Sequence, residues 1–361
     1  MEKKIESHYY WLDALRFIAA FVVLLSHTRN DYFCDYSSLP AEQQNIYSFV
    51  FYVIGRMGHE AVIVFFVLSG FLVGGRTIER IMDKSINLRV YAINRFSRIY
   101  PPLTVSIIFF YITTLFVPTE IWNWKTALGN FFNLQGILCD SLVNPFWSLS
   151  YEWWFYIVLA LLGFSYKSST NAKRLLGFCL AFMAIGVFVV GEMLIVYLVI
   201  WFLGAMAYLI RPAKPNKLIL AMSVLGVVLG VALYQISKDT HAFSFPFALN
   251  GVLVELFLSL MTCLLIQQVI LMKPSSSFTS IIEKSLGYMG NFSYTLYLAH
   301  RIISMWIFYF IFEKYQATFT FQNILIFLGI VVASLFGCWL LYFISERHTA
   351  VIKRTLAKRF A

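Results

Sequence analysis

The first apolar stretch of the chain contains an arginine and a histidine, Arg16 and His27. They stand 11 residues apart, so an α-helix would place them on one face with about 16 Å between them. A histidine with one unprotonated ring nitrogen can take a proton from a hydroxyl group, and an arginine can stabilise developing negative charge. The alternative is structural: Arg16 pairs with Asp13 in its own helix, and His27 lies at an interface.

A carboxylate suited to orient such a histidine is Glu152, which follows the segment 146–151 with the sequence Phe-Trp-Ser-Leu-Ser-Tyr. A carboxylate bound to one imidazole nitrogen leaves the other nitrogen free to act as a base. We therefore expect Glu152 to contact His27 from a neighbouring helix, with His59 and Glu60 as the next candidates. Alternatively, Glu152 is a buried structural residue that accepts hydrogen bonds from Trp and Ser side chains.

The sequence Arg95-Phe-Ser-Arg98 places two arginines three residues apart, so that they face the same way on a helical turn. Pro101 and Pro102 follow, and we expect them to open the next helix. Paired guanidinium groups suit a phosphate, which they bind through a bidentate fork. The alternative is an ordinary basic loop that contacts lipid head groups.

Three further positions carry weaker signals. Ser69 and Gly70 end an apolar run, and small residues there allow the close approach of another helix or of a slim ligand. Glu255 and His300 lie near the middle of later apolar stretches, where ionisable side chains are costly. His300 either packs between helices with a hydrogen bond to a tyrosine or has a functional role, and the sequence favours neither interpretation.

The elements that position these residues are membrane helices. Of the 361 residues, 60% are hydrophobic and 13% are charged, and the mean hydropathy is +0.74. Soluble globular domains contain about 45–50% apolar and about 25% charged residues. Apolar runs long enough to cross a bilayer recur along the chain, without the alternation that is typical of barrel strands. The sequence therefore predicts an all-α polytopic membrane helix bundle.

We predict about ten transmembrane helices, and we expect the shorter apolar stretches 46–55 and 126–138 to be interfacial or re-entrant. The predicted spans are 11–28, 57–75, 101–117, 146–166, 175–190, 193–210, 218–236, 247–271, 288–312 and 324–344. Residues 1–344 then form an integral-membrane domain, and residues 345–361 form a short basic cytoplasmic tail.

The excess of basic residues, 28 Lys and Arg against 18 Asp and Glu, indicates topology. With the amino terminus inside, 21 basic residues lie in inner segments and 5 lie in outer loops. The positive-inside rule then puts both termini in the cytoplasm. Since this asymmetry accounts for the charge, we expect no nucleic-acid partner. The five cysteines are scattered without the spacing of a metal site, so we expect no metal.

Taken in order, these motifs resemble those of the acyltransferase-3 family, bacterial integral-membrane O-acyltransferases that modify cell-surface glycans. The matching segments are Leu12-Asp-Ala-Leu-Arg16 with His27, Phe65-Phe-Val-Leu-Ser-Gly-Phe71, Arg95-x-x-Arg98-Ile-Tyr-Pro101, Trp147-Ser-Leu-x-x-Glu152 and Ser293-Tyr-x-x-Tyr-Leu-x-His300. The resemblance runs from residue 12 to about residue 301. No single motif is decisive, but the ordered set is specific.

The resemblance implies that acetyl-CoA, or another short acyl-CoA, donates its acyl group to a sugar hydroxyl, without a bound cofactor. It implies that Arg16, His27 and Glu152 are the catalytic residues. The donor site would contain Arg95, Arg98, Tyr100, Ser69 and Gly70, and the acceptor or supporting residues would be Trp147, Ser148, Tyr297, His300 and Glu60.

The expected function is therefore O-acetylation of O-antigen, capsule, exopolysaccharide or a lipid-linked precursor, at the inner membrane. The expected partners are the acyl-CoA, the glycan acceptor and the lipid bilayer, and the sequence leaves the oligomeric state open. The first alternative is a transporter or flippase of a lipid-linked glycan, for which internal repeats are typical and which we do not find here. The second is an acyltransferase with a lipid or small hydrophobic acceptor.

Overall fold

The computed structural model describes residues 9–117, 121–190, 195–238, 251–272, 281, 285, 287–311 and 316–359, without the side chains of residues 187–190. Over these ranges the secondary structure is helical, with two isolated β-bridges, Phe33 to Ala317 and Gln135 to Cys139. The predicted all-α class is confirmed.

The described helices are given in chain order. They are α1 (Tyr10–Tyr32), α2 (Ile46–Ile54), α3 (Gly58–Ser69), α4 (Arg76–Met82), α5 (Leu88–Phe116), α6 (Trp124–Phe131), α7 (Trp147–Lys167), α8 (Asn171–Val190), α9 (Ile195–Leu209), α10 (Lys217–Lys238), α11 (Gly251–Val269), α12 (Ser293–Phe310), α13 (Phe321–Ile344) and α14 (Thr349–Arg359). A π-helical segment, Gly70–Gly75, joins α3 to α4.

Six helical segments of the described chain are long and apolar enough to cross a membrane. They are Tyr10–Tyr32, Ile46–Met82, Leu88–Phe116, Lys217–Lys238, Gly251–Val269 and Phe321–Arg359. Each of the ten predicted spans overlaps a helix, and the four outside this set correspond to α7, α8, α9 and α12. The protein is thus a multi-pass membrane protein, and the number of ten spans stays a prediction.

Helix α5 differs from its prediction at the start. We expected Pro101 and Pro102 to open this helix, but it begins at Leu88 and the prolines lie inside it. Proline has no N–H group, so the carbonyl groups four residues earlier, on Ser97 and Arg98, lose their helical partners. The arginine pair is therefore carried on a helix rather than in a loop before one.

Helices α3 and α9 approach each other at two glycines. A methyl group on Gly70 would lie 1.9 Å from the carbonyl oxygen of Trp201, and one on Gly204 would lie 2.2 Å from the carbonyl oxygen of Val67. Only glycine fits where one backbone touches another so closely. The contact expected at the Ser-Gly pair is thus with a helix, and it fixes the position of Ser69.

The π-helical segment continues this contact towards α4. Methyl groups on Gly74 and Gly75 would lie 2.8 Å from the Trp201 side chain and 2.3 Å from the Tyr208 side chain. A π turn contains an extra residue compared with an α turn and often marks a functional site. Between Gly70 and Gly74, Leu72 and Val73 line the two cavities described below.

Five helices, α1, α3, α5, α7 and α12, contribute to one interior space. Helix α1 packs against α3 and α12, and α12 also packs against α5. The carboxy-terminal helix α14 packs against α5 as well, so the predicted tail is folded onto the bundle.

Replacing Gly70 by alanine is expected to lower the melting temperature of the purified protein in detergent. The added methyl group overlaps the backbone of Trp201, and overpacking costs about 1–3 kcal/mol. The matched control is Gly329→Ala in α13, where an added methyl group meets nothing within 4 Å. Equal melting temperatures for the two variants, measured by thermal unfolding, would contradict this contact.

Candidate active site

A cavity of about 100 Å³ lies inside the bundle, and we call it the inner cavity. Much of its wall is apolar and comes from α3 and α7. Its polar lining brings together six of the predicted site residues, namely Arg16, Ser69, Arg98, Ser148, Glu152 and Tyr297. These residues are far apart in the sequence and reach one space because five helices converge on it.

Arg16 is held in this cavity by two local contacts. Its guanidinium group contacts the Asp13 carboxylate at 3.1 Å and donates to the Ser293 hydroxyl at 3.3 Å. The structural pair with Asp13 is therefore present, yet Arg16 also lines the inner cavity and interacts electrostatically with Arg98 and Glu152. A fixed guanidinium group in a confined apolar space is suited to a polarised or anionic oxygen.

Glu152 is anchored by hydroxyl groups on two helices. Ser69 donates to its carboxylate at 2.6 Å, and Tyr156 donates to the same oxygen. The indole N–H of Trp201 donates to Ser69 at 3.1 Å, which fixes the orientation of that serine. The carboxylate is thus held rigidly on the wall of the inner cavity, beside the two arginines.

The expected contact between Glu152 and His27 is wrong. Glu152 lies at the level of Arg16, and its hydrogen bonds within the described chain go to Ser69 and Tyr156. His27 lies three helical turns further along α1, where its ring contacts the ring of His300. Glu152 lies in the second turn of α7, at a different level of the bundle from His27, which sequence position alone does not reveal.

His27 and His300 form a pair of rings with centroids 5.3 Å apart. The Nδ1 atom of His300 lies 2.8 Å from the Leu296 carbonyl oxygen, which only accepts, so Nδ1 carries the hydrogen. In the neutral ring Nε2 is then an acceptor, and it is buried without a hydrogen-bond partner among the described residues. His300 also contacts Tyr297 of the inner cavity, at 6.5 Å between ring centroids.

The histidine–carboxylate pair that we expected for His27 is formed by His59. Its Nε2 lies 2.8 Å from an oxygen of Glu255, and its side chain is 28% exposed. The imidazole is stacked on Tyr234 and on Trp147, with centroids 5.0 and 6.4 Å away. Trp147 therefore supports this pair rather than the lining of the inner cavity, and neighbouring Glu60 bonds to Gln235.

A second cavity, of about 440 Å³, lies between α4, α5 and α14, and we call it the basin. Its lining includes Arg95 and Arg98, as the arginine pair predicted. Arg95 is held over the ring of Tyr156, 5.4 Å from its centroid. The side-chain oxygens of Asn94 and Thr349 and the Nε of Arg95 are buried without hydrogen-bond partners in the described structure. Such polar groups require a polar ligand or water.

The basin and the inner cavity are adjacent. Both are lined by Leu72, Val73 and Arg98, so these residues form a shared boundary that we call the neck. A slim molecule with a charged head in the basin could therefore extend past Arg98 towards Arg16 and Glu152.

Two of the predicted donor-site residues lie elsewhere. Tyr100 is buried in an aromatic cluster with Phe96, Phe131 and Trp153, at centroid distances of 4.3–5.3 Å. It lies one helical position away from the cavity wall, which Ile99 lines instead. Gly70 faces the backbone of α9, so its contribution to the site is to position Ser69.

Comparison with protein families decides what kind of enzyme this arrangement belongs to. The model of the family described as an acyltransferase domain matches residues 9–343, nearly the whole chain. The chain belongs to the acyltransferase-3 family. Neither the curated proteins nor the solved structures include a significant match to it. The resemblance noted from the motifs is thereby confirmed, and the site belongs to a membrane acyltransferase.

The structure adds residues to this acyltransferase site that the motifs did not single out. Tyr156 and Tyr294 both line the inner cavity, and the Tyr294 hydroxyl is buried without a partner among the described residues. Tyr156 could have been found, since it lies four residues after Glu152 on the same helix face. In the basin the additional residues are Arg76, Arg80 and Lys353, which we had counted only as topological charges.

Replacing Glu152 by glutamine is expected to lower the rate of acyl transfer at least tenfold, with the protein still folded. Glutamine keeps the size of the side chain, but it removes the charge that faces Arg16 and Arg98. A tenfold loss corresponds to about 1.4 kcal/mol of transition-state stabilisation. The rate is measured at equal amounts of monodisperse protein, with Glu42→Gln at an exposed position as control. A wild-type rate for Glu152→Gln would remove Glu152 from the catalytic residues.

Proposed function

We propose that this acyltransferase transfers an acetyl or other short acyl group from acyl-CoA to a sugar hydroxyl of a cell-surface polysaccharide or its lipid-linked precursor. The observation that carries the proposal is the neck, at which a basic basin meets a narrow polar cavity inside the bundle. A CoA thioester has the matching shape, with a phosphorylated nucleotide head and a slim pantetheine arm.

In this proposal the donor enters from the cytoplasm. Arg95 and Arg98 bind phosphate oxygens in the basin, and guanidinium groups are suited to that role. The pantetheine arm passes Leu72 and Val73 and then Arg16. The arm is comparable in reach to the distance of about 16 Å between Arg16 and His27 along α1, so it can deliver an acyl group towards the histidine pair.

The proposed chemistry balances without a resident cofactor. The acceptor hydroxyl oxygen attacks the thioester carbonyl carbon, a C–O bond forms, and the C–S bond breaks. The hydroxyl proton passes to an imidazole nitrogen and from there to the departing CoA sulfur, which leaves as the thiol. His27 acts directly as the base, or it carries the acyl group transiently on nitrogen before the hydroxyl attacks.

Supporting groups surround this proposed reaction. Arg16 and the hydroxyl of Tyr294 line the inner cavity and are suited to hydrogen-bond the amide carbonyl oxygens of the arm on its way to the histidine pair. The buried acceptor nitrogen of His300 lies next to His27 and can orient its ring. An inner-membrane location with both termini in the cytoplasm belongs to this proposal, since it puts the basin on the side where acyl-CoA is available.

Replacing His27 by alanine is expected to abolish acyl transfer while the protein remains folded in the membrane. Membranes from cells that make the protein and its native glycan are supplied with acetyl-CoA labelled in the acetyl group. Label in an alkali-labile ester is then counted. Asn30→Ala is the matched control, because Asn30 is exposed on the same helix. If His27→Ala incorporated label like the wild type, the catalytic role of His27 would be wrong.

Replacing Arg95 and Arg98 together by alanine is expected to raise the KM for acetyl-CoA at least tenfold. Hydrogen bonds to charged groups contribute about 1.5–3 kcal/mol each, so the loss of two such residues is measurable even if other residues compensate. Arg89→Ala, at an exposed position on the same helix, controls for the loss of charge. An unchanged KM for the double variant would exclude the arginine pair from donor binding.

A further inference from the structure

The basin has an unbalanced charge. Its lining contains four arginines and one lysine, namely Arg76, Arg80, Arg95, Arg98 and Lys353. None of the lining residues in the described chain is acidic. Like charges that face one confined space repel one another and raise the local concentration of anions. The proposed contact of Arg95 and Arg98 with a diphosphate uses two of these five charges and leaves three.

Lys353 reaches the basin from the carboxy-terminal helix. Helix α14 packs against α5, and both Thr349 and Lys353 line the basin. These residues are four positions apart, so they lie on one face of α14. Lys358 lies on the same helix, is exposed and is outside the lining. The helix therefore presents one of its lysines to the basin.

The position of Lys353 along the chain places it beyond the neck. Glu346, just before α14, interacts electrostatically with Arg98, which lies at the neck. Thr349 begins α14, and Lys353 lies about 6 Å further along its axis. Arg98 lines both cavities, whereas Lys353 lines the basin and not the inner cavity, so a group bound by Lys353 is further from the inner cavity than a group bound by Arg98.

We propose that Lys353 binds the 3′-phosphate of the donor nucleotide and thereby makes α14 part of the donor site. The proposal rests on the proposed function, since it takes the donor to be a CoA thioester. Such a donor carries phosphate in two places, as a diphosphate next to the pantetheine arm and as a monoester on the ribose. With the diphosphate at Arg95 and Arg98, the monoester lies in the outer part of the basin.

The charge of the ligand fits this assignment. A phosphate monoester carries a charge of about −1.5 to −2 at neutral pH. One cationic side chain such as Lys353 does not neutralise this charge. Arg80, on the α4 side of the basin, supplies a second cation. The head group of an anionic lipid offers similar chemistry and is the other source of phosphate at a membrane surface. The experiment therefore has to separate nucleotide from lipid.

Binding to the purified full-length protein in detergent tests the proposal without an acceptor. The probes are adenosine 3′,5′-bisphosphate and AMP, which differ only in the 3′-phosphate. We expect the wild type to bind the bisphosphate about tenfold more tightly. Lys353→Ala should remove this preference by weakening bisphosphate binding alone, whereas Lys353→Arg and Lys358→Ala should keep it.

Other outcomes overturn the proposal in distinguishable ways. If Lys353→Ala weakens both nucleotides equally, or neither, Lys353 does not bind the 3′-phosphate. If phosphatidylglycerol stabilises the wild type, Lys353→Ala removes that effect, and the bisphosphate has none, the basin binds lipid.

Kinetics separate this proposal from the proposed function. With acetyl-CoA as donor, the KM of Lys353→Ala should be about tenfold higher than that of the wild type, at unchanged kcat. With acetyl-3′-dephospho-CoA as donor, the variant and the wild type should have the same KM. A wild type that shows the nucleotide preference but transfers no acetyl group from either donor would contradict the proposed function and leave the phosphate site in place. Equal use of both donors by the wild type would overturn the phosphate site alone.

Discussion

Holding two half-buried guanidinium groups, those of Arg16 and Arg98, beside one cavity is the constraint on which the rest of the bundle depends. Charges away from water are costly unless other charges and hydrogen bonds compensate for them. Compensation comes from Asp13, Glu152 and Glu346, which all interact with Arg16. Glu152 requires in turn the hydroxyl groups of Ser69 and Tyr156, and Ser69 requires the glycine contact between α3 and α9. The apolar packing thus serves to hold a small set of charges in fixed positions.

The sequence predicted the fold class and the approximate limits of the helices well, because apolar runs of membrane length have few alternative structures. It was less successful where depth in the membrane decides contacts. Glu152 and His27 looked suited to each other, but they lie at different depths, and the carboxylate partner of a histidine is found instead at His59. The start of α5 was also misplaced, because prolines that commonly open helices lie inside this one.

In the candidate site, the sequence predicted which residues of one helix face the same way, but it did not predict which distant helices meet there. Spacing within one helix predicted that Arg95 and Arg98 share a direction, and both line the basin. Spacing could not predict the contribution of Lys353, more than 250 residues later in the sequence, because α14 reaches the basin only through packing on α5. The prediction that Tyr100 lines the donor site was wrong for a related reason. Neighbouring positions on a helix face different directions, so Ile99 lines the inner cavity and Tyr100 packs in an aromatic cluster.

The π-helical segment between α3 and α4 has a further consequence for how the two cavities remain aligned. Each residue added to or removed from a helix rotates everything after it by about 100°. The six residues Gly70–Gly75 therefore act as an angular spacer between Ser69, on the inner cavity, and Arg76 and Arg80, on the basin. A deletion of one residue here would leave the hydropathy of the helix almost unchanged, yet it would turn both arginines away from the basin. The length of this segment is thus as specific a requirement as the identity of any charged residue.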